Sequence, residues 1–112
     1  MSQIPSQTEI CKKFQSLFDP PGEDERVDVA LSTLPQVPLN ALRHPRKKDT
    51  CGWYVWGGEL SDHPDLFQPL HVHHLVAHVP SIVPYLALGP GWRVLLAPGH
   101  VDVWYDTALL AV

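Results

Sequence analysis

With 112 residues, 45% of them hydrophobic and 18% charged, the chain has the size of one domain, residues 1–112, and the composition of a globular protein, not a disordered one. Its formal net charge of −4 resides in the second part: residues 1–50 balance seven basic against seven acidic side chains, whereas residues 51–112 set Arg93 alone against Glu59, Asp62, Asp65, Asp102 and Asp106. An acidic half repels phosphate backbones, so no nucleic-acid partner is expected, and with no run near the roughly 20 apolar residues of a membrane helix, no membrane partner is expected either.

The opening residues, MSQIPSQTEICKK, lack the basic start, apolar middle and small-residue cleavage site of a secretory signal, which points to the cytoplasm. Ser6 and Glu9 stand at the spacing of a capping box, and Ile10, Phe14, Leu17 and Phe18 recur at helical spacing, predicting a helix from about residue 7 to 18. Asp19-Pro20-Pro21-Gly22 ends it. Between Asp24 and Leu34, Val27, Val29 and Leu31 alternate as in a strand, while Val27, Ala30, Leu31 and Leu34 also fit one side of a short helix capped by Asp24. A loop with Pro35, Pro38 and Pro45 follows, carrying Arg43, Arg46, Lys47 and Lys48 as a solvated basic cluster.

From Cys51 the chain turns β-prone: Trp53, Tyr54, Val55 and Trp56 predict a strand closed by Gly57-Gly58. Ser61-Asp62-His63-Pro64-Asp65 reads as a turn or cap before two short helices, at 70–78 and 80–87, with Pro80 and Pro84 in first turns. Trp92–Ala97 and Val101–Tyr105, separated by Pro98-Gly99, read as an antiparallel hairpin. The order predicts an α+β fold, a small antiparallel sheet with helices packed on one side, its core filled or edged by Trp53, Trp56, Trp92 and Trp104.

Chemistry-bearing patterns are few. On a helix, His74 and His78 lie four apart with His71 near the same stripe, a spacing that can hold metal ligands. The glutamate of a HExxH pattern is missing, however, and Leu70, Val72, Leu75 and Val79 account for an amphipathic helix with its histidines outward. Cys11 and Cys51 have no CxxC spacing and read as free thiols of a reducing compartment. Serine-nucleophile and phosphate-loop motifs are absent. No catalytic residue, metal or cofactor is expected.

The segments CGWYVWGGELSDHPD, PSIVPYLALGPGWRVLL and DVWYD, in this order, resemble the immunity proteins of bacterial polymorphic-toxin systems, with their Gly-Trp strand, Ser-Asp-x-Pro turn, Pro-rich helix and Pro-Gly-x-Arg strand. The likeness spans residues 51–106 and does not extend to the first fifty. It implies a cytoplasmic protein that neutralises a cognate toxin, such as a type VI secretion effector, by covering its active site. Tight association of that kind uses aromatic anchors and charged groups that steer encounter. The partner-binding candidates are therefore Trp56, Glu59, Asp62 and Asp65 on the strand-to-helix turn, and Asp102 and Asp106 on the hairpin. The competing readings are a non-catalytic adaptor domain and a small metal-dependent enzyme built on His71, His74 and His78.

Overall fold

A computed structural model describes residues 6–63 and 65–111. Helix α1, Gln7–Phe14, starts at the predicted capping box: the Ser6 hydroxyl accepts from the Glu9 amide and the Glu9 carboxylate accepts from the Ser6 amide, both at 3.1 Å. It ends at Phe14, not at 18, because Gln15 adopts the left-handed conformation (φ 61°) and the next amide, of Ser16, donates back to the Cys11 carbonyl. Leu17 and Phe18 are consequently exposed, and Phe18 pairs with Leu88 in an isolated antiparallel bridge.

The ambiguous stretch at 24–34 holds both elements: strand β1, Arg26–Val29, and a 3-10 turn, Leu31–Thr33. Strand β2, Leu39–Arg43, lies where a loop was predicted, and β3 covers Thr50–Gly57. Strand β4, Gln68–His71, takes the start of the helix predicted at 70–78, leaving α2 as Val72–His78. A 3-10 helix, Pro80–Tyr85, leads to the hairpin of β5, Trp92–Ala97, and β6, His100–Tyr105, as expected, and a last 3-10 turn spans Thr107–Leu110.

The fold is α+β, but the sheet is six-stranded and mixed, in the order β4-β1-β3-β2-β5-β6, not small and antiparallel. Strand β3 inserts between β1 and β2, parallel to the first and antiparallel to the second, and every other pairing is antiparallel. The chain then crosses from β4 at one edge through α2 and the 3-10 helix to reach β5 beside β2. These helical pieces and α1 pack over one face, where Ile10, Leu75, Ile82 and Leu88 meet Val29, Trp53, Val55 and Val94. Cys11 and Cys51 are both free and buried in this layer.

Arg43, expected on a solvated loop, ends β2 with a side chain 0% exposed. Its Nε donates to the Cys51 carbonyl at 2.9 Å and its Nη1 to the carbonyls of Asp19 and Leu88, each at 2.7 Å. Nη2 lies 3.7 Å from the Asp19 carboxylate without a hydrogen bond of its own, and the guanidinium sits 5.6 Å from the Trp53 ring. Burial lowers its pKa, yet a guanidinium keeps its proton in proteins, so one charge is held inside by carbonyl dipoles and a single carboxylate. Gly52 shapes this arrangement: at φ 94° a β-carbon would stand 1.9 Å from the His44 carbonyl oxygen, so the backbone beside Cys51 accepts only glycine.

Arg46 is at the surface, as expected, but its charge is paired. It forks onto Glu25 with two bonds of 2.9 Å, also bonds Asp19, and lowers the Glu25 pKa through that hydrogen bond. Only Lys47 and Lys48 of the basic cluster remain exposed without such pairing among the described residues. Arg43→Met should destabilise the fold by about 3–5 kcal/mol, because it strands the buried carbonyls of Cys51 and Leu88, the part-buried one of Asp19 and the Asp19 charge. Arg43→Lys should recover little of this, since a single ammonium cannot reach the carbonyls on both sides of the fork. Urea unfolding of both variants is the measurement.

Candidate functional site

Strand polarity and pairing define what the molecule offers a partner. The sheet has two edges, and they differ. Strand β4 is four residues long and contains Pro69, a device that discourages further pairing. Strand β6 is six residues long, HVDVWY, with no proline, lysine or bulge. Its register with β5 begins at Ala97 and His100 across a two-residue turn, and the Asp106 amide donates to the Gly91 carbonyl at 2.7 Å. Antiparallel alternation then directs the amides and carbonyls of Val101, Val103 and Tyr105 outward, away from β5. Val101 is 54% exposed, Tyr105 48% and Trp104 39%, so the open edge carries large apolar side chains on both faces.

The two faces around β6 are unlike. On the helix-bearing side, Tyr105 packs edge-on to Trp92 at 5.4 Å and its ring covers Gly91, where a β-carbon would stand 2.5 Å away. Phe14, Leu17, Pro90, Trp92 and Tyr105 line a groove of about 420 Å³ there, with no carboxylate, imidazole or amine in its lining. The opposite face lacks α1 and α2 but carries the final 3-10 turn, where the Leu109 carbonyl lies 2.8 Å from His44 Nδ1 and the His44 ring meets Tyr54, and register places Asp28, Tyr54, Leu42, Arg93 and Trp104 in one row across it. Arg93 lies 5.5 Å from the Trp104 ring and pairs with Asp106 at 3.2 Å.

The candidates chosen from sequence scatter over this framework. Trp56 belongs to the face opposite α1 and α2 but is only 5% exposed, with Phe67 edge-on at 6.2 Å, and is buried as it stands. Glu59, Asp62 and Asp65 are exposed on the segment between β3 and β4. Strands β2 and β5 separate β3 from β6, about 14 Å at the usual strand spacing, and the chain after Glu59 moves toward the far edge. Asp102 stands on β6 itself, exposed, 3.5 Å from His100. Asp106 caps the final 3-10 turn through the Ala108 amide at 3.0 Å as well as pairing with Arg93, so its charge is engaged within the chain. Two acidic surfaces result, with Asp102 alone on the open edge.

Residues not singled out from sequence are Asp28, Tyr54, Arg93, Trp104 and Tyr105. The signal for the last two was the pattern V-D-V-W-Y, apolar on both alternating faces of a terminal hairpin strand, which marks an edge with something to cover. Asp28 carried a fainter one, a carboxylate at an alternate position of a strand pattern.

The histidine stripe is also rearranged. His71 ends β4 in extended conformation (φ −70°, ψ 146°), so it does not lie on the helix with His74 and His78. Instead the rings of His71, His73 and His74 gather, with centroid separations of 5.5, 6.0 and 4.1 Å.

Burial raises the Asp28 pKa, and the Tyr54 hydroxyl and the Arg26 charge only partly offset it. A carboxyl whose folded pKa is raised gives its full stability below the unfolded pKa of about 3.9 and loses it as pH rises through the folded value. Asp28→Asn should therefore stabilise the protein at pH 7, and the gain should vanish at about pH 3, where both side chains are neutral. Thermal unfolding at the two pH values reads this directly.

No curated protein and no solved structure matches the chain. The family described as the Imm33-like domain matches residues 6–106, nearly the whole chain, including the N-terminal part that carried no recognisable pattern. This chain belongs to the family of Imm33-like domains.

Proposed function

We propose that the protein is an immunity protein that binds a cognate toxin and neutralises it by occluding its active site, without catalysis or cofactor. Membership of an immunity-type family sets the class, and the observation that carries the mode of binding is the unblocked edge strand β6. A strand of the toxin adds to β6 through the outward amides and carbonyls of Val101, Val103 and Tyr105, while side chains on either face supply selectivity. Trp104 beside Arg93 on one face, and Tyr105 with the neighbouring groove on the other, are the anchors, since exposed aromatics dominate binding energy when they are desolvated. Asp102 contacts the partner, and Glu59, Asp62 and Asp65 act at longer range by raising the encounter rate with a basic toxin.

On this reading the protein acts in the cytoplasm of a toxin-producing bacterium and protects it from a contact-delivered effector, such as one of type VI secretion. No helix of the described residues is long and apolar enough to cross a membrane.

The test is co-purification of the tagged protein from its native bacterium and calorimetry with the secreted toxin domain recovered, together with growth protection in cells expressing that toxin. Trp104→Ala should weaken the complex about 30-fold, equivalent to about 2 kcal/mol. Val101→Pro, which removes an outward amide but no bond to β5, should weaken it comparably while leaving the hairpin paired. Glu59→Lys should lower the association rate, with the difference shrinking at high salt. Unchanged affinity in both β6 variants would place the interface elsewhere, and failure to bind or protect against the toxin would replace immunity with a general adaptor role.

A further inference from the structure

We propose that His71, His73 and His74 form a binding site for one divalent transition-metal ion of the imidazole-preferring class, with Zn²⁺ as the reference ion. The inference stands apart from the immunity reading, and it differs from the helical stripe expected from spacing in its residues and its geometry. One ring nitrogen from each of the three histidines lies within 4.8 Å of the other two. Tetrahedral zinc at 2.0–2.1 Å from each nitrogen requires separations of about 3.3 Å, a closure of about 1.5 Å that small rotations of exposed rings supply. All three rings are exposed, and none donates or accepts a hydrogen bond among the described residues. His78, a turn further along α2, is outside the group.

The local fold holds the three together. His71 is the last residue of β4, opposite Arg26 of β1, and the chain enters α2 at the next residue. An extended residue followed directly by a helix turn brings side chains at i, i+2 and i+3 to one side, which neither a continuous helix nor a continuous strand does. The turn is pinned from below: the Val72 amide donates to the Glu25 carbonyl at 2.9 Å and the His73 amide to the Glu23 carbonyl at 3.2 Å. Those carbonyls satisfy two of the free amides that make a helix start electropositive, and so reduce its opposition to a cation. Arg26 lines the same shallow hollow as His71 and His74, and its charge opposes the ion through water rather than through protein.

Three imidazoles suit zinc, copper and nickel more than magnesium or calcium, which prefer oxygen. They leave a coordination position open for water or for a side chain from outside. A bound ion would link β4, the short edge strand, to the start of α2 by side-chain bonds in addition to the backbone and the histidine ring contacts.

The experiment is calorimetric titration of Zn²⁺ into metal-stripped, untagged protein at pH 8, with Co²⁺ absorption spectra to report coordination. The expected result is one ion per chain, a tetrahedral or five-coordinate Co²⁺ spectrum, and a melting temperature raised by about 5 °C at a tenfold excess over Kd. His71→Ala, His73→Ala and His74→Ala should each weaken binding by at least about tenfold, the loss that even a supporting residue of a metal site causes. His78→Ala should leave it unchanged. Absence of saturable binding at micromolar Zn²⁺, or equal loss on replacing His78, would overturn the site.

Discussion

The guanidinium of Arg43 is the interaction on which the architecture depends. It stands where four chain segments meet: its own strand β2, the bend at Cys51 in β3, the stretch after α1 at Asp19, and the return from the 3-10 helix at Leu86–Leu88. The three segments around β2 present the carbonyls of Cys51, Asp19, Leu86 and Leu88, and one planar cation satisfies them together. An apolar residue could fill the volume but would leave those oxygens dry. The Trp53 indole joins the arrangement from the same side, its Nε1 donating to the Leu86 carbonyl at 2.9 Å. The helical layer is thus attached to the sheet by polar bonds at one end as well as by apolar packing along its length.

That attachment decides which surfaces stay open. Because α1, α2 and the Pro80–Tyr85 3-10 helix gather on the Trp53 side, the opposite face is left to Asp28, Tyr54, Arg93 and Trp104, with the short terminal 3-10 turn held beside Tyr54 through His44 and the Leu109 carbonyl. Phe67 folds back over Tyr54 and Trp56, at 5.3 and 6.2 Å, and closes the β3 region of this face. Trp104 of β6 stays exposed on this face, and Val101 and Tyr105 of the same strand on the other. A free edge is a liability that proteins ordinarily blunt, and this one does so with Pro69 on β4, while β6 has no proline and exposes Val101, Trp104 and Tyr105 beside the single carboxylate of Asp102. Such asymmetry is the physical basis for assigning β6 to a partner.

Charge is organised along the same division. Asp19 and Glu25 are held by Arg43 and Arg46, and Asp106 by Arg93, so these carboxylates serve the fold. Asp28 differs, since burial disfavours its charge and no full ion pair compensates.

What sequence alone determined was local. The Ser6–Glu9 box, the β3 run from Trp53 to Trp56 and the hairpin across Pro98-Gly99 were all legible, because capping, β-propensity and turn chemistry act over a few neighbouring residues. The acidic second half was legible as composition, and resemblance pointed to an immunity-type family from residues 51–106. Strand β2 was not, because Leu-Asn-Ala-Leu-Arg between prolines has neither alternation nor β-branched residues; it is a strand because β3 and β5 pair with it on both sides. The end of α1 was misjudged for a similar reason: Leu17 and Phe18 continue the helical period, yet the backbone there pairs with Leu88, far away in sequence. The candidate site divided in the same way. Exposed carboxylates could be named from composition, but whether Trp56 was buried, whether Arg43 was solvated, which histidines met and which strand formed the open edge depended on strand order. Strand order is set by long-range pairing and by the burial of one cation, and no window of neighbouring residues contains either.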